Sequence, residues 1–121
     1  MERINVPSLK KAGPYSHATI AGGLVFISGQ VGLNEHNIND FESQFDVAIA
    51  NVEMILETAG SSIDEICKVT VFISDARFFD AMNKKFQAVF SGREPARTTV
   101  VAHLPREDML VELDVVAALA V

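Results

Sequence analysis

The fold is decided by one stretch of the sequence, ICKVTVFI at residues 66–73. Small or apolar residues at positions 67, 69, 71 and 73 alternate with Lys68, Thr70 and Phe72. A two-residue alternation rich in β-branched side chains is typical of a β-strand, and apolar residues in both alternating sets favour a central place in a sheet. We therefore expect a central strand from Ile66 to Ile73, with Cys67 buried as a small hydrophobe.

Amphipathic helices are predicted on either side of this strand. Apolar residues recur at three- and four-residue steps from Phe41 to Ala59, and Gly60 provides a C-terminal stop. After the strand, Ser74 and Asp75 offer an N-cap for a second helix. That helix is expected to continue to about Phe90 and to bury a stripe made of Phe79, Met82, Phe86, Val89 and Phe90.

Further strands complete the expected architecture. They are predicted at residues 3–6, 16–20, 24–28, 97–104 and 110–119, and a loop is predicted at residues 31–40. Because only a short polar connection at residues 105–108 separates the last two strands, we expect them to form an antiparallel pair. The order β-β-β-α-β-α-β-β indicates one α+β domain over residues 1–121, with two helices on one face of a mixed sheet of about six strands.

The face of the sheet that the helices do not cover is unusually apolar. In the final strand Glu112 and Asp114 alternate with apolar residues, and both alternating sets of the preceding strand contain apolar or threonine side chains. A solvated face carries less apolar surface than this. We therefore predict that self-association buries it.

Composition argues against several classes of function. The net charge of −6 repels nucleic-acid phosphates. No apolar run resembles a signal peptide or the ~20 residues of a membrane span, so a cytoplasmic location is expected. One cysteine and three scattered histidines, His17, His36 and His103, predict no metal site, and the histidines are expected on the sheet surface or in loops. No nucleotide-binding motif is present, so no cofactor is predicted.

An arginine behind a proline is the first candidate for chemistry. The segment Pro95-Ala96-Arg97-Thr98-Thr99 places Arg97 at the mouth of a strand, where a guanidinium can clamp a carboxylate. From this segment alone a solvated arginine is the simpler interpretation. Further polar residues occur near predicted element boundaries, where sites gather. Together with Arg97 they form a coherent set: Tyr15, Ser28, Gly29, Asn83, Thr99 and Glu112.

Seven short motifs follow one another along the chain. They are GPYS at 13–16, ISGQ at 27–30, AGSS at 59–62, KVTVF at 68–72, AMN at 81–83, PART at 95–98, and LP at 104–105 followed by VEL at 111–113. With these motifs the chain resembles the Rid proteins, the reactive intermediate or imine deaminases also called YjgF-like. The resemblance implies a chorismate-mutase-like α+β fold assembled as a homotrimer, with sites in the clefts between subunits.

The resemblance also implies roles for the polar residues. Arg97 would grip the carboxylate of a small 2-imino or enamine acid, a task suited to its planar charged fork. Glu112 and Tyr15 would place the substrate and the attacking water. The cleft would be lined by Ser28, Gly29 and Asn83, with a backbone carbonyl near Thr99 sharing in the orientation of water. Many relatives have cysteine at the position of Thr99, so a thiol role is excluded here.

The activity implied is cofactor-independent hydrolysis of 2-iminopropanoate or 2-iminobutanoate to a 2-oxo acid and ammonia. Such a deaminase would protect pyridoxal-phosphate enzymes, which would be functional neighbours and not bound subunits. Two alternatives stay open. One is a non-catalytic module that holds a small carboxylate and regulates a partner; the other is a ribonuclease, which the charge of −6 makes the least favoured.

Overall fold

Strands and helices follow one another in the predicted order in the computed structural model, which describes residues 1–120. The strands are β1 (Glu2–Ile4), β2 (Ala18–Ala21), β3 (Leu24–Val31), β4 (Ile66–Ile73), β5 (Ala96–Val101) and β6 (Val111–Ala118). The helices are α1 (Phe41–Ala59) and α2 (Phe79–Phe90), and short 3-10 turns at Ile63–Glu65 and Ala76–Phe78 precede β4 and α2. Val121, which the predicted domain includes, lies outside the described residues.

The strands form one sheet in the order β1-β2-β3-β6-β4-β5, so the prediction of a six-stranded mixed sheet is confirmed. Neighbouring strands are antiparallel except β4 and β5, which are parallel. Because β3 and β4 both run antiparallel to β6 between them, they are parallel to each other. Helices α1 and α2 therefore connect parallel strands in the same direction across the sheet. Because both crossover connections have the same handedness, both helices pack on the same face of the sheet.

The predicted pairing of the last two strands is wrong. Strand β4 lies between β5 and β6, because α2 returns the chain parallel to β4 and β5 takes the sheet edge beside it. The connection at residues 102–110 passes the end of β4. There Ala102 N–H donates to Ile73 O and Ser74 N–H donates to Leu110 O, both at 3.0 Å.

The helices bury the apolar stripes that their periodicity predicts, with one exception. In α2 the residues Met82, Phe86 and Phe90 are buried and Val89 is half-buried against the core, but Phe79 is 43% exposed. The N-cap Asp75 accepts a hydrogen bond from Arg77 N–H and so starts the preceding 3-10 turn, not α2 itself. This turn rotates Phe78 inward, where its ring stacks on Phe41 with centroids 4.8 Å apart.

Cys67 is exposed, contrary to the prediction. The register between β4 and β6 shifts between Ile66 and Lys68, which is the mark of a β-bulge. An extra residue in one strand reverses the alternation beyond it. Ile66 and Val69 therefore both face the core, and Cys67 is left outside with its Sγ 3.2 Å from Val116 O.

His17 also departs from its predicted place at the surface. Its side chain is 2% exposed, and its Nδ1 accepts a hydrogen bond from Val6 N–H at 2.9 Å. His36 and His103 are exposed in loops, as predicted. His17 therefore ties the N-terminal segment to the sheet.

A buried glutamine, Gln44, holds two loops that border the candidate functional site. Gln44 Oε1 accepts from Leu110 N–H at 2.9 Å, and its Nε2 donates to Asn37 O at 3.1 Å and to Asp108 O at 3.0 Å. Residues 32–40 form a loop as predicted, but Val31, which the predicted loop includes, is the last residue of β3. Because a buried amide with all these partners costs free energy to disrupt, α1 holds this loop and the 102–110 connection in one arrangement.

Candidate functional site

Tyr15, Ser28, Gly29 and Glu112 line one cleft of about 510 Å³, which we call the tyrosine cleft. Its other lining residues come from the N-terminal segment, from the end of β3 and from the 102–110 connection: Ala12, Val31, Pro105, Arg106 and Met109. The structure thus brings together four of the predicted residues from distant parts of the chain.

Glu112 lies on the face of the sheet opposite the helices. In β6 it is flanked by the buried residues Val111 and Leu113, and it is in register with Val31 of β3 and Phe72 of β4. Its carboxylate rests against Gly29, where a Cβ would come within 2.5 Å of Glu112 Oε2. Glycine at position 29 is therefore what lets this carboxylate lie close to β3.

Partial burial raises the pKa of the Glu112 carboxyl above its ordinary value, and the negative charge of Asp114 on the same strand raises it further. A carboxylate that holds its proton more tightly is a stronger base when ionised. Glu112 is thereby suited to take a proton from water and give it back.

Tyr15 and Ser28 offer hydroxyl groups beside this carboxylate. Tyr15 is 40% exposed, and its Oη accepts a hydrogen bond from Ala12 N–H at 2.9 Å, which leaves the phenol proton free to donate. Ser28 Oγ donates to Ser16 O at 2.7 Å, which leaves its lone pairs free to accept. The tyrosine cleft therefore presents a donor, an acceptor and a base.

Arg97 lies in a second cleft of about 330 Å³, which we call the arginine cleft. In β5 it is in register with Val69, so it faces the side of the sheet that the helices cover. Its guanidinium carbon lies 4.9 Å from the centre of the Phe86 ring, and Nη1 lies 3.4 Å from Met82 Sδ. The other residues that line the arginine cleft are Asn83, Phe86, Gln87, Ser91, Gly92 and Glu94.

The guanidinium of Arg97 is supported by an aromatic ring and not by a carboxylate. Among residues 1–120, ion pairs to Lys or Arg join Lys85 to Glu42 and Asp46, and Arg93 to Asp64, but none includes Arg97. A positive charge held over a ring keeps its hydrogen-bond donors available. The geometry suits the binding of an anion.

Among the described residues, none lines both clefts, and Arg97 and Glu112 lie on opposite faces of the sheet. Thr99 lines neither of these clefts. It is in register with Val71, and its Oγ1 is buried without a hydrogen-bond partner among the described residues. The predicted residues thus fall into two separate groups within one chain.

Arg106 is a cleft residue that the sequence interpretation missed. It lines the tyrosine cleft, whereas the sequence predicts only a polar connection at residues 105–108. Its place between the LP motif at 104–105 and the VEL motif at 111–113 was the available signal.

Comparisons with known proteins agree with this architecture. The family model described as Endoribonuclease L-PSP matches residues 6–119. A RutC family protein of Aquifex aeolicus is 37% identical over 97% of this chain and 98% of its own length. The mitochondrial protein mmf2 of Schizosaccharomyces pombe is 35% identical over 95% of both chains.

A solved structure shows the same fold. RidA from the Antarctic bacterium Psychrobacter superimposes with a TM-score of 0.88 at 31% identity, covering 98% of this chain and 100% of that one. Within residues 1–120, no helix combines the length and the apolar character needed to cross a bilayer. The chain belongs to the Endoribonuclease L-PSP family, the family of the Rid and YjgF proteins.

Proposed function

We propose that this protein hydrolyses small 2-imino or enamine acids, such as 2-iminopropanoate and 2-iminobutanoate, to 2-oxo acids and ammonia. The proposed active form is a homotrimer, in which the arginine cleft of one copy meets the tyrosine cleft of the next. The observation that carries the proposal is the division of one complementary set of groups between two faces of the sheet: Arg97 on one and Glu112 on the other.

Each cleft supplies what the other needs for this reaction. The substrate is an anion with a hydrolysable C=N bond next to its carboxylate. Arg97 would bind that carboxylate through paired hydrogen bonds, while Tyr15 donates to the substrate and Glu112 holds a water molecule. Self-association would also bury the half-exposed apolar side chains of the open face, among them Phe26 at 42% exposure.

One carboxyl group, that of Glu112, can carry out the proton transfers of this reaction. Water adds to C2, and Glu112 moves a water proton to the imine nitrogen, which gives a carbinolamine. A hydroxyl proton then moves to the nitrogen, again by way of Glu112, as the C–N bond breaks. Ammonia leaves and C2 becomes the carbonyl carbon of the 2-oxo acid. These imines also hydrolyse in water unaided. Orientation of the substrate and one carboxyl group with a raised pKa are therefore sufficient for catalysis.

The proposed substrates arise from pyridoxal-phosphate enzymes, and removing them would protect those enzymes without any bound complex. A cytoplasmic location stays a prediction, since the relative mmf2 is named as mitochondrial.

The test is a serine or threonine dehydratase reaction in which release of the 2-oxo acid is followed with and without this protein. Wild type should accelerate the release, and Arg97→Ala should lower kcat/KM by about 100-fold because the carboxylate loses a charged, bidentate partner. Arg77→Ala removes an exposed arginine outside both clefts and serves as the matched control. No acceleration by wild type would contradict the proposal.

Two other functions use the same observations differently. The description of the family as an endoribonuclease favours RNA cleavage as a second candidate, although a net charge of −6 opposes RNA binding. Cleavage of RNA by a nuclease-free preparation, lost in Arg97→Ala, would support it.

A non-catalytic carboxylate-binding module needs Arg97 but not Glu112. It would bind 2-oxobutanoate in calorimetry and show no turnover of imines.

A further inference from the structure

A cavity of about 390 Å³ adjoins the tyrosine cleft and is lined by basic side chains. The two share Ala12, Tyr15, Gly29, Val31 and Arg106, so they are continuous. Beyond this shared wall the cavity adds two further cations, two amides and two leucines: Lys10, Lys11, Gln30, Asn51, Leu9 and Leu33. We call it the basic cavity.

The sign of the charge in this cavity is opposite to that of the protein. Acidic residues outnumber basic ones by 16 to 10 in the chain, but none of the described residues that line the basic cavity is acidic. Lys10, Lys11 and Arg106 take part in none of the ion pairs found in residues 1–120. Uncompensated cations converging on one concave surface attract an anion.

Hydrogen bonds fix the two chain segments that carry the three cations, whose side chains are exposed. Lys11 Nζ donates to Asn5 Oδ1 at 2.9 Å, and Ala12 N–H donates to Tyr15 Oη, so the segment with both lysines is tied down next to Tyr15. The segment with Arg106 is held by Gln44, which accepts from Leu110 N–H and donates to Asp108 O. The fold therefore fixes where the three cationic side chains leave the backbone, around one cavity.

We propose that the basic cavity binds a second anionic group of the substrate, so that the preferred imines are 2-imino dicarboxylic acids. This inference rests on the proposed function. The C1 carboxylate pairs with Arg97 of a neighbouring copy, the imine carbon lies beside Glu112 and Tyr15, and the distal carboxylate reaches past Arg106 toward Lys10 and Lys11. Oxidation of an acidic amino acid is the class of reaction that supplies such an imine.

The kinetic test compares two imines made in place by amino-acid oxidases, one from alanine and one from aspartate. Wild type should show the higher kcat/KM for the dicarboxylic imine. In Lys10→Ala, the ratio of the two kcat/KM values should fall by about tenfold through a higher KM for the dicarboxylic imine, as expected when one charge-assisted contact is lost. Lys84→Ala removes an exposed lysine from α2, remote from this cavity, and should leave the ratio unchanged.

A binding measurement separates failure of this inference from failure of the proposed function. Calorimetry with 2-oxoglutarate and 2-oxobutanoate should show tighter binding of the dicarboxylate by wild type, and the preference should be lost in Lys10→Ala and weakened by salt. If no imine is hydrolysed but this preference is found, the proposed function fails and the anion site stands. If the alanine-derived imine is hydrolysed and neither assay shows a dicarboxylate preference, the site is refuted. An equal loss in Lys84→Ala would also refute it, because net charge alone would then explain the effect.

Discussion

The tyrosine cleft and the arginine cleft differ in what they can do to a substrate. The tyrosine cleft lies on the open face and holds a partly desolvated carboxyl with a raised pKa beside two hydroxyl groups. The arginine cleft lies at the sheet edge under α2 and holds a guanidinium supported by Phe86. One is suited to move protons and the other to hold an anion. This contrast is the basis for our proposal that a single chain carries two halves of a site.

The largest effect is expected from Glu112→Gln, which removes the base and keeps the shape of the side chain. General acid–base catalysis contributes roughly 10²- to 10⁴-fold, so kcat should fall by that amount while the KM changes little. The control is Asp114→Asn, which removes a charge from the same face and should keep kcat within about twofold. Equal losses in the two variants would mean that the charge of the face, and not Glu112, matters.

A smaller loss is expected from Gly29→Ala. The added Cβ would stand 2.5 Å from Glu112 Oε2, so the carboxylate must move away from the position that β3 gives it. Because a displacement of about 1 Å can cost 10²-fold, we expect kcat to fall by about 10- to 100-fold. The same change in a Glu112→Gln background should have almost no further effect. Additive losses would show that Gly29 acts independently of Glu112.

Phe86→Leu tests the support of Arg97 in the arginine cleft. Losing a ring 4.9 Å from the guanidinium carbon should raise the KM by about three- to tenfold, since a cation–π contact contributes about 0.5–2 kcal/mol. Phe90→Leu is the matched control, because Phe90 is buried in the same helix and packs against Phe86. Both variants should lose stability, and only the first should raise the KM. A KM that rises equally in both would assign the effect to general loosening of α2.

The smallest effect concerns the pH dependence. The charge of Asp114 raises the pKa of Glu112, so Asp114→Asn should lower that pKa. In the proposed mechanism the ionised carboxylate is the active base, so activity should be lost as the pH falls through this pKa. The acidic limb of kcat/KM should therefore move to lower pH. An unchanged limb, or a shift to higher pH, would show that another group controls it.

Much of the fold follows from local patterns. The three- and four-residue period of α1 and the alternation in β6 predict which side chains are buried, and Glu112 lies on the open face as its alternation indicates. The errors occur where a single residue changes the pattern. A bulge reverses the alternation of buried and exposed side chains at Cys67. A 3-10 turn before α2 turns Phe78 inward in place of Phe79. Neither feature has a periodicity that can be detected in the sequence.

The sequence predicts only part of the candidate site, and the reason is related. Arg97 and Glu112 can be identified as candidates from their motifs, but the face that Arg97 occupies depends on its register with Val69, a contact between separate strands. The expected antiparallel pairing of the last two strands concealed this register. The cluster of Lys10, Lys11 and Arg106 arises from segments far apart in the chain, so only the folded structure reveals it.

The most direct test of the central claim mixes two strongly impaired variants, Arg97→Ala and Glu112→Gln. If each site takes its arginine from one copy and its glutamate from another, trimers that assemble at random from equal amounts of the two chains have about one quarter of their sites intact. Co-expressed variants should then recover about one quarter of the wild-type imine hydrolysis, although each alone retains about one hundredth or less. A mixture as inactive as its parents, in assemblies shown to contain both chains, would contradict a site shared between copies.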